Sequence, residues 1–244
     1  MSDPRIESYA WAGGREPVLR FGPEDGPVVV LALPLFEEAN RTRAFGVTLL
    51  RALATRGIGG VLPELPGQGE SEIATNAMRL ADLRAALARA PGSHVVAIRS
   101  GALVVDTRPC WLLAPQNGAD LVRELRRVGG ATPNGEEVAV AGNLLAHAFF
   151  DELGSSRLPG EGRGQGAEVA GAEDDFSTMS GSHLDPGLRR GSADRVVRLL
   201  ADPRPADRHV EGEPLWRRAE PASDPVLVEI LAVDIADWVA SCES

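Results

Sequence analysis

Lysine is missing from this chain: all 25 basic residues among its 244 are arginine. Together with the alanine, glycine and proline load, that absence reads as GC-rich codon usage rather than function. Positive charge is scarce as well. The net charge is -10 and the pI is near 5.0, which excludes nucleic acid as a main partner because phosphate binding needs a basic face. The 2 cysteines, Cys110 and Cys242, form neither a disulfide framework nor a metal-ligand pattern, so a reducing cytoplasm is the simplest compartment. No run of apolar residues is long enough to span a bilayer. The longest, around Val28 to Phe36, is interrupted by Pro34. Met1 to Gly14 is polar and lacks the apolar core of a targeting segment.

The remaining composition suits one sizeable α/β domain spanning 1–244. Glu7 to Phe21 reads as an entry hairpin around Gly13-Gly14. Pro27 to Leu33 is a continuous apolar run suited to a strand buried on both faces, and Gly60 to Leu65, His94 to Ile98 and Trp111 to Ala114 read as further strands. Between them lie a loop from Pro34 to Asn40, a helix from Arg43 to Arg56 stopped by Gly57, and a helix from about Asn76 to Ala90. That alternation predicts a mostly parallel sheet with helices on both faces. Further along, the pattern predicts a helix over Ala119 to Arg127 with a charged outer face, a short strand over Glu136 to Val140, and a helix over Asn143 to Leu153. Strands at Arg195 to Leu200 and His209 to Glu211 follow, then a closing helix from Pro225 to Ala240 with Val226, Ile230, Val233 and Trp238 inward. The stretch 154–191 is rich in Gly, Ser and acidic residues, the composition of a flexible loop or a cap remnant.

Ligands of open parallel sheets bind beyond the carboxyl ends of the strands, so the loops there carry the candidate site. The stretch from Pro66 to Ser71 has the P-G-x-G-x-S form of an α/β-hydrolase turn, or is an ordinary Pro-Gly turn. After Ile98 a nucleophile elbow would read G-x-S-x-G, a strained strand-to-helix turn that presents a serine. Here Arg99 stands in the serine slot and Ser100 one residue later, where its backbone N–H could serve as an oxyanion donor. The short distance from Gly101 to Trp111 leaves little more than one helical turn after the elbow. A hairpin, with Leu103 to Asp106 pairing back, is the rival reading. Asp202 suits the acid slot after the penultimate strand, and His209 is the nearest histidine, yet it falls within the last strand rather than beyond it. His94, His147 and His183 read as structural or solvated. The loop after Leu33 carries Glu37, Glu38, Asn40 and Arg43 and faces the elbow, so Arg99 is expected within salt-bridge reach of Glu37 or Glu38. Such a pair either fills a vacated nucleophile pocket or helps to hold a ligand. Trp216 either lines the same cleft or packs in the core.

Several of these stretches resemble one family, the second hydrolase associated with the exosortase A system of Gram-negative bacteria. They are Leu33 to Arg43, Pro66 to Ser71, Ile98 to Leu103, Trp111 to Gln116, Val138 to Gly142 and Gly212 to Trp216. The resemblance implies an α/β-hydrolase-like fold, here trimmed after the elbow strand, and a gene neighbourhood for exopolysaccharide export and protein sorting. Two functional readings follow. One is a hydrolase of ester or acyl bonds with a non-standard or lost triad, with Arg99, Ser100, Glu37, Glu38, Asp202 and His209 as catalytic candidates. The other is a non-catalytic accessory protein that binds an anion or a partner. Leu35, Phe36, Asn40, Arg43, Ser71, Gln116 and Trp216 are the binding candidates in either case. No metal or cofactor is expected.

Overall fold

Continuous apolar runs need cover on both sides, and a parallel sheet between two helical layers supplies it. A computed structural model of the chain describes residues 4–129, 131–159 and 193–243. β1 (Arg5–Trp11) and β2 (Gly14–Phe21) form an antiparallel hairpin that turns at Ala12-Gly13, one residue before the expected pair Gly13-Gly14. β3 (Val28–Ala32), β4 (Gly59–Pro63), β5 (His94–Ile98) and β6 (Cys110–Leu113) are buried at every residue. β7 (Ala131–Asn134), β8 (Glu137–Val140) and β9 (Asn143–Ala146) make a separate antiparallel meander, and β10 (Ala193–Leu199) and β11 (Arg208–Val210) return to the main sheet. The order is β1-β2-β4-β3-β5-β6-β10-β11, antiparallel on both sides of β2 and parallel from β4 to β11. That mostly parallel order is the α/β-hydrolase arrangement.

Among the described residues five α-helices cover the sheet: α1 (Glu37–Ala54), α2 (Leu80–Arg89), α3 (Gly118–Gly129), α4 (His147–Ser155) and α5 (Pro225–Cys242). Alternate strand residues divide between two cores. Val29, Leu31, Val96, Ile98 and Trp111 face α1 and α5, meeting Phe45, Leu49, Leu231 and Ile235. Val30, Ala32, Val95, Ala97 and Leu112 face α2, α3 and α4, meeting Leu83, Leu87, Leu121 and Phe149. Among the described residues, no helix is long and apolar enough to cross a membrane.

The structure corrects several expected boundaries. α1 starts at Glu37, inside the expected loop, because Phe36 turns the chain at φ 61 and its carbonyl accepts from Ala39 N at 3.0 Å. Residues 143–146 are strand β9 rather than helix. Ala141 and Gly142, at φ 48 and 78, make the two-residue hairpin that forces Val140 opposite Asn143. In α5, Val226 and Val233 are 71% and 43% exposed, while Leu227, Leu231, Ile235 and Trp238 face inward. Asp224 sets that phase by accepting from the Val226 and Leu227 amides. The hairpin alternative after Ile98 does not occur: β5 and β6 are parallel, and the chain from Arg99 to Leu103 forms a 3₁₀ turn. The segment expected as a loop or cap remnant, 154–191, begins in the last turn of α4 and from residue 160 lies outside the described residues.

Asp234 ties the far half of the sheet to α5. Its carboxylate, 2% exposed, accepts from Arg195 Nε and Nη2 at 2.7 Å each, from Arg208 Nη1 at 2.7 Å and from Trp111 Nε1 at 2.8 Å. One side chain on α5 thus holds β6, β10 and β11. Burial would raise its pKa, but hydrogen bonds from Arg195, Arg208 and Trp111 outweigh that and lower it to about 2. A carboxyl with a depressed native pKa stabilises the fold above its unfolded value of about 3.9, and that contribution is lost as the pH falls. Urea unfolding should therefore show about 2 kcal/mol of Asp234-linked stability at neutral pH, disappearing between roughly pH 4 and pH 2. Asp234→Asn should lower stability at neutral pH and flatten this part of the pH profile. Parallel profiles for the two proteins would contradict the assignment.

Candidate functional site

Arg99 ends β5 at φ 53, the positive-φ backbone of an elbow, with the 3₁₀ turn Arg99–Leu103 behind it. Gly101 permits the turn to sit against β3: a Cβ there would lie 2.5 Å from the Ala32 carbonyl oxygen and 2.6 Å from that of Leu33. The arginine is 6% exposed and its guanidinium is enclosed. Nε and Nη2 each donate to Glu38 at 3.3 Å, Nη2 also donates to Glu124 Oε2 at 2.9 Å, and the Trp216 ring centroid lies 5.1 Å from Cζ. An arginine cannot lose its charge in a protein, so a buried one needs such partners. Burial raises the Glu38 pKa, with Arg99 pulling in the opposite direction.

Two amides of the loop after β3 are occupied. Ser100, fully buried, turns its Oγ to accept from Leu35 N at 2.9 Å, and Gln68 Oε1 accepts from Phe36 N at 2.9 Å. In a hydrolase the loop after β3 gives an amide to the oxyanion hole. Here Leu35 and Phe36 give theirs to side chains. Gln116 is buried, donates from Nε2 to Glu124 Oε2 at 2.7 Å and holds the Arg99 carbonyl through its backbone N–H at 3.3 Å.

Other expected site residues lie elsewhere. Glu37 is exposed and pairs with Arg41 rather than Arg99, and exposed Asn40 contacts only Glu37 among the polar groups described. Both belong to the solvent face of α1, because the helix starts earlier than expected. Arg43 reaches back to Glu64 at 2.7 Å and 2.9 Å. Ser71 braces its own turn, its Oγ accepting from Gly67 N and Ile73 N. Asp202 does follow β10, but Arg204 and Arg198 take its carboxylate at 2.8–2.9 Å. Hydrogen bonds from Arg204 hold its pKa well below the usual carboxylate range. His209 lies within β11, is exposed, and points Nε2 at the carbonyl oxygens of Asp202 and Arg204, 3.1 Å from each. Its ring therefore meets main chain and not the Asp202 carboxylate. Among the described residues, Ser100, Asp202 and His209 make no nucleophile–base–acid chain.

No protein-family model matches this chain, and no curated protein does. Solved structures overlap it in part. An epoxide hydrolase from Vigna radiata is 20% identical, with 45% of this chain and 39% of that chain covered at a TM-score of 0.37. Epoxide hydrolase A from Mycobacterium thermoresistibile is 23% identical over 46% and 39%, with a TM-score of 0.36. A thioesterase domain from the curacin biosynthetic pathway is 15% identical over 62% and 75%, with a TM-score of 0.38. The matched part spans about two-fifths of the length of either epoxide hydrolase.

Glu38 and Glu124 should be energetically coupled to Arg99. Removing one member of a buried pair costs about 3–5 kcal/mol because the other is left charged. In thermal or urea melts, Arg99→Leu and Glu38→Leu should each destabilise, Glu37→Gln should be close to neutral, and the Arg99/Glu38 double variant should recover part of the sum. Strict additivity would show that the charges do not meet in solution.

Proposed function

We propose that this protein uses a hydrolase fold for binding and not for acyl transfer through a serine. The observation that carries this reading is Arg99 in the nucleophile slot, neutralised by Glu38 and Glu124. The engaged amides of Leu35 and Phe36 support it, since an oxyanion hole needs free donors. A serine nucleophile also needs a positioned base, and His209 faces carbonyl oxygens instead. The resemblance to the second hydrolase of the exosortase A system adds a setting: an accessory role in exopolysaccharide export or protein sorting, in the cytoplasm.

A water-based hydrolase is the second reading, with Glu38 as base and Arg99 as electrophile. The raised Glu38 pKa favours it. Against it, both Glu38 oxygens are engaged by Arg99.

Fluorophosphonate labelling with a p-nitrophenyl ester series separates these possibilities. No labelling and no hydrolysis above background are expected. Stoichiometric labelling at Ser100 would overturn the proposal. Hydrolysis without labelling, abolished by Glu38→Gln, would establish the water-based reading. Arg99→Ser should remain inactive, because among the described residues no base reaches the new hydroxyl.

A further inference from the structure

Two cavities open beside Arg99, of about 240 Å³ and about 170 Å³, and they share Arg99, Arg204 and Arg217 as walls. They are therefore two ends of one cleft at the carboxyl edge of the sheet. The ends differ in chemistry. Besides the shared arginines and the Asp202 carboxylate, the larger is walled by Leu199, Pro203, Pro214 and Trp216, apolar side chains with one indole. The smaller is lined by eight residues, of which Arg99, Arg123, Arg127, Arg204 and Arg217 are five. In a chain of net charge -10, that concentration of guanidinium groups runs against the overall field.

Most of these arginines are neutralised in place. Arg99 meets Glu38 and Glu124, Arg123 meets Asp120, and Arg204 meets Asp202 and Asp120. Arg127 and Arg217 are exposed, and among the described residues neither has a carboxylate within salt-bridge distance. Gln116 lines the same end and is 3% exposed. Its Oε1 has no hydrogen-bond partner and, as an acceptor, calls for a donor such as a hydroxyl rather than for the anion itself. Paired guanidinium groups grip carboxylates and phosphates through matched N–H···O bonds. Each end of the cleft is smaller than a drug-sized site, so each holds a small group.

We infer that this cleft binds a small amphiphilic anion, its carboxylate or phosphate held by Arg127 and Arg217 and its short apolar body lying against Trp216 and the two prolines. The inference deepens the binding role proposed above, but it does not require that the ligand escape turnover. Labelling and ester hydrolysis test the one, and equilibrium binding tests the other.

The experiment is calorimetric titration of the full chain with hexanoate, hexyl phosphate, hexan-1-ol, acetate and inorganic phosphate. Hexanoate or hexyl phosphate is expected to bind at least about tenfold more tightly than hexanol and than the matching short anion, and more weakly as salt is raised. Whichever of the two binds better assigns the head group. Arg127→Gln/Arg217→Gln should weaken that binding by about tenfold or more with an unchanged melting temperature, since both side chains are exposed. Arg218→Gln, whose partner is Glu213 outside the cleft, should leave binding intact. Hexanol binding as tightly as the anions, inorganic phosphate binding as tightly as hexyl phosphate, indifference to the double variant, or binding of none of the probes would each overturn the inference.

Discussion

A guanidinium at the end of β5 keeps its charge whatever surrounds it, and that fixed charge organises the edge of the sheet. It requires carboxylates from two directions: Glu38 from the first turn of α1 and Glu124 from α3. It also takes the face of Trp216, from the short turn before α5. Three elements far apart in sequence thus converge on one side chain. Loops at such an edge are ordinarily free to serve substrates. Here the loop after β3 is held by Ser100 and Gln68, and the elbow is held by Gln116. The site is organised by satisfied polar groups, with Gln116 Oε1 as an exception.

Asp234 plays the corresponding part on the opposite side of β6. It collects Trp111, Arg195 and Arg208, so the two outer strands are secured by hydrogen bonds from their side chains as well as by the ladder. β11 has only three residues, and a strand that short gains little from its own pairing. A buried carboxylate with several charged donors compensates, provided that it stays ionised.

Local signals made much of this architecture legible. Valine- and leucine-rich runs marked β3 to β6, the glycine pair marked the entry hairpin, and the spacing of Phe45, Leu49 and Leu53 marked α1. A contact from Arg99 to Glu37 or Glu38 followed from loop placement alone, which did not choose between the two; the structure has Glu38. The start of α1 was hidden because Phe36 reaches its unusual φ through tertiary fit. The phase of α5 was hidden because its apolar residues are so dense that several stripes satisfy the pattern. Glu124 was missed on a helix whose charged face was assigned to solvent. The available signal was Asp120, Arg123, Glu124 and Arg127, which share one face and begin just after Gln116. Asp202 was placed correctly in the chain, but its capture by Arg198 and Arg204 depends on side-chain packing that linear spacing does not encode.

The five-residue turn behind the elbow has a further electrostatic meaning. A full α-helix starting at this point would direct the positive end of its summed peptide dipoles at residue 99, which favours an anion and disfavours a cation. A single 3₁₀ turn aligns few peptide units, so that field is largely missing. Shortening the crossover and placing arginine at its head are therefore compatible changes: the shorter the helix behind the slot, the less an uncancellable positive charge in it is opposed by the backbone.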